Sequence, residues 1–292
     1  MSVEKMLAQY GRLIDERFET VFSNTDNQYG RILDAMKYSL LSGGKRLRPA
    51  LLLEFCKICG GDLDTAVDFA CAVEMIHTYS LIHDDLPCMD NDDTRRGKPS
   101  CHIAFGEDLA LLAGDGLLTL AFELASKCRF PARSVLKAIS VLAEMAGVQG
   151  MIGGQVIDLE SENKVVDIDT IKKMYSLKTG ALLKAACSIG CILPGADEEK
   201  VGAAKEYADN IGLAFQIVDD ILDVVGDSQK LGKPVGSDAD NHKSTFVAFY
   251  GIEHSKKLVL ELTQAAKQSL DVFGKSADRL IELADFLVLR DH

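Results

Sequence analysis

Helical periodicity runs through almost the whole sequence, and this feature restricts the possible folds more than any other. Apolar residues recur at three- and four-residue steps, whereas the two-residue alternation that marks strands is nearly absent. The six prolines fall where such helices would begin, end or turn. The pattern predicts an all-α protein with helices near 2–22, 27–42, 48–59, 62–85, 103–128, 131–147, 148–162, 169–191, 197–225, 244–251, 253–273 and 277–290.

Composition limits the domain organisation and the class of partner. The 292 residues include no Ser-, Gly- or Pro-rich linker, so we expect one domain over 1–292. A net charge of −12 argues against a nucleic-acid partner. No secretory signal or membrane span is expected, because Asp115 interrupts the most apolar stretch at 109–122. Eight scattered cysteines suit reduced thiols and a cytoplasmic location, with a mature plastid enzyme as the alternative.

An acidic cluster lies at the predicted end of the helix near 62–85. Asp84 and Asp85 come just before Pro87, which cannot continue the helix, and Asp90 follows. The C-terminus of a helix carries partial negative charge, so two adjacent aspartates are unfavourable there without a cation. A solvated acidic loop is the simplest interpretation. It does not explain the apolar helix before the cluster, so we favour a divalent metal site if a second acidic group exists.

A second acidic cluster lies inside the predicted helix 197–225. Asp219 and Asp223 are four residues apart and share one face, with Asp220 turned about 100° away. Their neighbours are apolar, and carboxylates in such surroundings suit a hard cation, Mg²⁺ or Mn²⁺. Charges on a helix surface would explain either cluster alone, but they explain both together poorly. The two clusters therefore predict a divalent metal site.

Basic residues complement these clusters. Lys45 and Arg48 follow two glycines and stand at a predicted helix N-terminus, where backbone N–H groups and the helix dipole favour an anion. Lys178, Lys233 and Lys243 add isolated positive charges near apolar helices. Two acidic groups with basic loops predict a diphosphate substrate bridged by metal. The P-loop pattern of nucleotide-binding enzymes is absent from the sequence.

Taken together, these motifs resemble the trans-isoprenyl diphosphate synthase family over essentially the whole chain. Segment 84–90 is similar to the family's first aspartate-rich motif, with 95–97 as its tail, and 219–223 is similar to the second motif. Segment 44–49 resembles the family's basic loop, and 154–159 and 178–180 occur in the expected order. The resemblance implies an isoprenoid-synthase fold, in which antiparallel helices surround a central active-site cavity, and it implies a homodimer.

The resemblance also implies roles for individual residues. Three Mg²⁺ ions, replaceable by Mn²⁺, would be held on an allylic diphosphate by Asp84, Asp85, Asp90, Asp219, Asp220 and Asp223. The same diphosphate would be contacted by Arg95, Lys178, Lys233 and Lys243. Isopentenyl diphosphate would be bound by Lys45, Arg48, His77 and Arg96. The developing carbocation would lie near Thr179 and Gln216, and a supporting layer would contain Gln155 and Asp158. The catalytic set implied is Asp84, Asp90, Arg95, Lys178, Thr179, Gln216 and Asp219.

The implied reaction is ionisation of an allylic diphosphate, followed by attack of the isopentenyl double bond on the carbocation. Starting from dimethylallyl and geranyl diphosphate, it would give farnesyl diphosphate (C15). Tyr79, with Ser80 beside it, resembles the aromatic block of farnesyl-producing members, although an ordinary packing tyrosine explains it too. A geranylgeranyl (C20) product is the alternative. A terpene cyclase would not need the basic loop at Lys45, and a non-catalytic partner subunit would not need both aspartate groups.

Overall fold

The computed structural model describes residues 2–23, 29–225 and 245–288. Within these ranges the chain is predominantly helical, and the prediction of an all-α protein is confirmed. The α-helices of the described ranges are α1 Val3–Val21, α2 Gly30–Leu40, α3 Leu47–Ile58, α4 Leu63–Asp84, α5 Cys101–Phe105, α6 Glu107–Ser126, α7 Ala132–Ala146, α8 Met151–Ser161, α9 Ile168–Tyr175, α10 Ala181–Ile192, α11 Glu198–Val225, α12 Phe246–Ser269 and α13 Asp278–Val288.

Four departures from the predicted elements concern connections. The predicted helix 169–191 is divided, because a π-helix, Ser176–Gly180, lies between α9 and α10. The predicted helix 103–128 begins two residues earlier and breaks between α5 and α6 at Gly106, where φ is 96°. The predicted loop 90–102 contains a short antiparallel pair, β1 Thr94–Arg95 with β2 Lys98–Pro99. A 3₁₀ helix, Asp271–Ala277, joins α12 to α13.

Helices α4 and α10 form the centre of the molecule. Both are apolar on nearly all sides, which is the pattern of a helix surrounded by other helices. Helix α4 packs against α3 and α6, and α10 packs against α3, α7 and α11. The main core also includes α1 and α13, and a smaller apolar cluster lies between α9, α11 and α12. Because α4 ends at Asp84 and α10 follows the π-helix, both central helices bring site residues to one region.

Two helical stretches are long and apolar enough, by length and composition alone, to cross a membrane, a test that core helices also pass, so the absence of a membrane span stays a prediction. They are Glu107–Ser126 and Ala132–Ser161. Asp115 was expected to disqualify the first, but one acidic residue does not offset its apolar neighbours. In these two windows, 39% and 33% of the residues are buried inside the chain.

Candidate active site

A cavity of about 480 Å³ lies beside the C-terminal half of α4, within the usual size range of small-molecule sites. Its polar lining includes many of the residues predicted from sequence, namely Arg48, His77, Tyr79, Ser80, Asp84, Lys178 and Thr179. The rest of the wall is largely apolar and includes Met89, Leu118, Met151, Ile152, Val156, Leu159 and Leu182. The cavity can therefore hold a molecule with a charged head and a hydrocarbon tail.

Asp84, the last residue of α4, is held by two helices at once. One carboxylate oxygen accepts a hydrogen bond from Gln155 Nε2 at 2.5 Å, and the other lies 3.7 Å from Lys178 Nζ. Lys178 Nζ also donates to Asp158 at 2.6 Å. Burial raises the pKa of Asp84, and Lys178 opposes this increase only in part. Burial by itself would lower the pKa of Lys178, but Asp84 and Asp158 outweigh it and leave that pKa raised, so the ammonium keeps its charge.

The π-helix brings Lys178 to this position. A Cβ atom at Gly154 of α8 would lie 2.6 Å from the Cα atom of Lys178 and 2.7 Å from the carbonyl carbon of Leu177. Only a glycine therefore allows α8 to approach the backbone of the π-helix this closely. Isolated π-helical turns commonly mark functional sites, and this one carries Lys178 and Thr179 at the cavity wall.

Asp85 is paired with Arg95 and faces away from the main cavity. Arg95 Nε donates to Asp85 Oδ1 at 2.9 Å, and Arg95 Nη2 contacts the same oxygen and also Asp92 at 3.3 Å. Burial raises the pKa of Asp85 although Arg95 donates to it. Together with Arg96, this pair lines a small crevice next to the cavity. Asp90 is exposed in the following turn, where its N–H bonds the carbonyl oxygen of Asp84 at 2.9 Å.

The basic loop before α3 has the features of an anion site. Lys45 is exposed at its tip, whereas the Nε atom of Arg48 is buried and has no hydrogen-bond partner among the described residues. Burial lowers the pKa of Arg48. Burial and the nearby positive charge of Arg48 together lower the pKa of His77 well below its usual range. Leaving a buried donor unpaired is costly, and a bound anion would remove that cost. Arg96 donates to the carbonyl of Gly43, which fixes the outer side of the loop.

The second acidic cluster lies on α11. Asp219 is half-buried, while Asp220 and Asp223 are buried. Both oxygens of Asp220 accept from the Tyr175 hydroxyl at 2.9 Å, and one also accepts from the Phe246 N–H at 2.9 Å. Asp220 therefore joins α11 to α9 and to the start of α12.

Three predicted residues of this part of the site remain, and of these only Gln216 lies within the described residues. Gln216 is half-buried on α11, four residues beyond Gly212, where a Cβ would lie 3.3 Å from Gly180 of the π-helix. This contact places α11 beside the element that carries Lys178. The α11 residues do not line the cavity described above. Lys233 and Lys243 lie outside the described residues.

The donor chemistry of the acidic residues fits a hard divalent cation, but the described residues alone do not complete its coordination. Within 2–23, 29–225 and 245–288, no group of three acidic, His or Cys side chains lies close enough to hold an ion. Mg²⁺ is usually bound through one or two carboxylates together with substrate phosphates and water. The arrangement therefore fits a metal that arrives with a diphosphate better than a metal held by protein ligands alone.

Sequence reasoning missed several residues that shape the site. Gly154 was noted only as the first residue of the 154–159 segment, without a role of its own, and Tyr175 gave no signal. No role was assigned to His83 from the sequence, yet it lines the cavity with its Nε2 atom 3.0 Å from the carbonyl oxygen of Leu111. The π-helix was also missed, because nothing in the spacing separates it from α9 and α10.

Comparison with known proteins gives consistent results. Residues 30–278 match the family model described as polyprenyl synthetase. The chain is 48% identical to a geranylgeranyl diphosphate synthase of Cyanophora paradoxa, covering 89% of this chain and 88% of that protein. It is 41% identical to a farnesyl diphosphate synthase of Geobacillus stearothermophilus, covering 100% and 99%. Among solved structures, it is similar to an FPP/GFPP synthase from Zymomonas mobilis, with a TM-score of 0.88, 39% identity and 98% of each chain covered.

Proposed function

The chain belongs to the polyprenyl synthetase family and is a trans-prenyltransferase with the all-α isoprenoid-synthase fold, and from this premise we propose that its product is farnesyl diphosphate (C15). In this proposal the enzyme adds isopentenyl diphosphate to dimethylallyl diphosphate and then to geranyl diphosphate. Its relatives carry both C15 and C20 names, so we infer the product length from the cavity itself.

The observation that supports a C15 product is the position of Tyr79. It lies on α4 five residues before Asp84, it is 6% exposed, and its ring forms part of the cavity wall. The ring packs edge-on against His83 at 5.7 Å between centroids, which limits its freedom to swing aside. A bulky side chain at this level restricts how far a growing hydrocarbon chain extends from a diphosphate held at Asp84.

The second candidate is a C20 product, and one feature of the cavity favours it. Ile152, Val156 and Leu159 continue the apolar wall along α8 and remain 36% to 47% exposed. A longer chain would have apolar surface to cover there. A terpene cyclase is less consistent with the site, because its chemistry does not require a second anion site such as the one at Arg48.

Each group of residues has a distinct task in the proposed reaction. The ammonium of Lys178 supplies fixed positive charge next to the leaving diphosphate, in a region where burial strengthens its effect. Arg48 and His77 hold isopentenyl diphosphate, and the apolar wall excludes water that would quench a carbocation. When bound, the divalent metal adds positive charge that favours departure of the diphosphate.

Polyprenyl synthases use a divalent metal, and we propose Mg²⁺ in this enzyme. Asp84, Asp90 and Asp219 would ligate it directly. Asp85 and Asp220 would support the metal site indirectly, because they are already bonded to Arg95 and Tyr175, and Asp223 is assigned with them because it is buried.

We also propose that two copies of the chain associate in the cytoplasm. The outward surface of α6, α7 and the turn before α8 carries large apolar side chains that are 48% to 77% exposed, namely Leu111, Leu112, Leu136 and Val148. A second copy would cover them. All eight cysteines are free thiols, as a reducing compartment requires. Light scattering that gives the mass of a single chain would contradict the dimer.

The function is tested by direct assay. Purified protein is incubated with Mg²⁺, isopentenyl diphosphate and either dimethylallyl, geranyl or farnesyl diphosphate, and the dephosphorylated products are separated by chain length. We expect farnesol from the first two primers and little extension of the third. Efficient conversion of farnesyl diphosphate to C20 would establish the alternative product, and cyclic hydrocarbons formed without consumption of isopentenyl diphosphate would exclude the proposed reaction.

Replacing Tyr79 with alanine is expected to shift the main product from C15 towards C20. Removal of the ring opens the apolar wall below Asp84, so the bound chain can extend by one more five-carbon unit before release. Product distribution is measured by chromatography at equal substrate conversion. Tyr79→Phe is the matched control, because it keeps the ring and removes only a hydroxyl that has no hydrogen-bond partner among the described residues. An unchanged C15 product from Tyr79→Ala would remove Tyr79 from the explanation of chain length.

A further inference from the structure

Arg46 lies inside the basic loop, but its side chain points into the protein core. The residue is 4% exposed, although Lys45 next to it is exposed. Its Nη1 atom lies 2.9 Å from Glu74 Oε1, and its Nη2 atom lies 2.8 Å from Asp15 Oδ1 and donates to the carbonyl of Leu40 at 2.5 Å. One guanidinium therefore joins the loop to α1, α4 and the end of α2.

The backbone of Arg46 is unusual as well. Its φ and ψ angles are 47° and 35°, in the left-handed region that residues other than glycine rarely adopt. This turn comes immediately before α3, which begins at Leu47. A strained backbone conformation persists only where surrounding contacts hold it in place. The hydrogen bonds of the Arg46 guanidinium are such contacts. The same turn separates Lys45, which points outward, from Arg48, which lines the cavity.

The charge of Arg46 is already neutralised by the protein. Glu74 is 2% exposed and lies directly on the guanidinium. Burial acts to lower the pKa of Arg46, but Glu74 and Asp15 outweigh it, so the pKa is raised and the group stays charged. Arg48 differs, since its Nε atom has no hydrogen-bond partner among the described residues and its pKa is lowered by burial. Arg48 is thus suited to bind a ligand, and Arg46 is suited to stabilise the conformation of the basic loop.

We propose that Arg46, with Glu74 as its main partner, is a positioning residue that sets the geometry of the isopentenyl diphosphate subsite and leaves the allylic subsite unaffected. The proposal rests on the proposed function for the identity of the two substrates. Glu74 precedes His77 by three residues, so both lie on neighbouring positions of one face of α4. The same ion pair therefore fixes both sides of this subsite, the loop with Arg48 and the helix with His77.

The test is a comparison of the two substrates in the Glu74→Gln variant. We expect KM for isopentenyl diphosphate to increase at least tenfold and KM for geranyl diphosphate to change less than twofold. Arg46→Lys is expected to restore part of the affinity that Arg46→Met loses, because it keeps a positive charge near Glu74. Asp15→Asn is the mild variant, since the Asp15 side chain is 48% exposed and its loss is compatible with folding. A threefold or larger increase in the isopentenyl KM is expected there.

A matched control separates positioning from general stability. Tyr10→Phe removes another buried polar contact of α1, the 2.5 Å bond from the Tyr10 hydroxyl to Glu54, and does not touch the loop. It is expected to leave both KM values unchanged. If Glu74→Gln and Asp15→Asn raise both KM values equally, or if folded Asp15→Asn has a wild-type isopentenyl KM, the proposal is wrong.

A second measurement keeps this inference independent of the proposed reaction. Binding of inorganic diphosphate without metal is followed by calorimetry, because under these conditions the basic loop is the main attraction for an anion. We expect the affinity for inorganic diphosphate to fall at least fivefold in Glu74→Gln and to be unchanged in Tyr10→Phe. If the wild-type protein does not condense isoprenyl diphosphates, the proposed function fails, but this binding difference still tests the role of Arg46. Equal affinity in all three proteins would overturn that role.

Discussion

The Asp84→Asn variant is expected to lose kcat on the order of 10³-fold, about 4 kcal/mol of transition-state stabilisation. Asparagine has nearly the same shape, so the contact with Gln155 can persist, but it has no negative charge for a divalent cation or for Lys178. The measurement is incorporation of isopentenyl diphosphate at saturating substrates over a range of Mg²⁺ concentrations. A variant with more than a tenth of the wild-type kcat at high Mg²⁺ would contradict the assignment of Asp84 to the metal.

Stability measured on the same variant shows whether the loss is chemical. Since burial raises the pKa of Asp84 in the folded protein, ionisation of this group at neutral pH opposes folding, and its favourable contribution appears only as the pH falls. Removing the charge should therefore not lower the melting temperature at pH 7, particularly as Lys178 keeps Asp158 as a partner. Asp92→Asn is the control, because Asp92 belongs to the same acidic segment and its side chain is 52% exposed. We expect less than a threefold change in its kcat.

The acidic end of α4 shows which part of the sequence argument was sound and which was incomplete. Two aspartates at a helix C-terminus were expected to require a cation, and a metal was inferred. In the structure, Lys178 lies beside Asp84 and Arg95 is bonded to Asp85. The protein itself therefore supplies cations for both carboxylates. The inference of a metal consequently rests on the family and on the donor chemistry, and less on the electrostatics of the helix end.

Sequence motifs predicted the site where its residues are close together along the chain. The segment 84–90, the group at Asp219 and the loop at Lys45 are each contiguous, so their residue types and spacing were visible without a structure. Contacts between distant segments were not visible in this way. Tyr175 reaches Asp220 across 45 positions, and Arg46 reaches Glu74 across 28. Neither pair has a spacing that predicts its contact, because helix packing alone brings the residues together.

Helix lengths and breaks were predicted well where a proline or glycine marks the boundary. The end of α4 before Pro87 and the kink inside α12 at Gly251, where φ is 73°, are examples. The π-helix at 176–180 was not predictable, since only Leu177 of its five residues is apolar and nothing in the spacing separates it from α9 and α10. Gly154 is the residue that allows α8 to lie directly against this π-helix. Gly154 was thus visible in the sequence, but the π-helix that packs against it could be identified only from the fold.

Gly154→Ala is therefore expected to damage the enzyme more than an ordinary glycine substitution in a helix. The new methyl carbon would lie 2.6 Å from the Cα atom of Lys178, so either α8 or the π-helix has to shift. A displacement of about 1 Å at a reacting group costs on the order of 10²-fold in rate, and overpacking costs about 1–3 kcal/mol of folding free energy. We expect kcat to fall by roughly that factor and the melting temperature to decrease.

Gly202→Ala is the matched control for this prediction. Gly202 lies in α11, and apart from the local backbone of its own helix no atom of the described residues lies within 4 Å of the position that its Cβ would occupy. The same chemical change there should leave kcat unchanged and raise the free energy of unfolding by about 0.4–1 kcal/mol, because alanine restricts the unfolded chain. If Gly154→Ala instead behaves like Gly202→Ala in both kcat and melting temperature, the close approach of α8 to the π-helix does not control the position of Lys178. A fall in melting temperature with wild-type kcat would mean that the contact supports the fold without orienting the lysine.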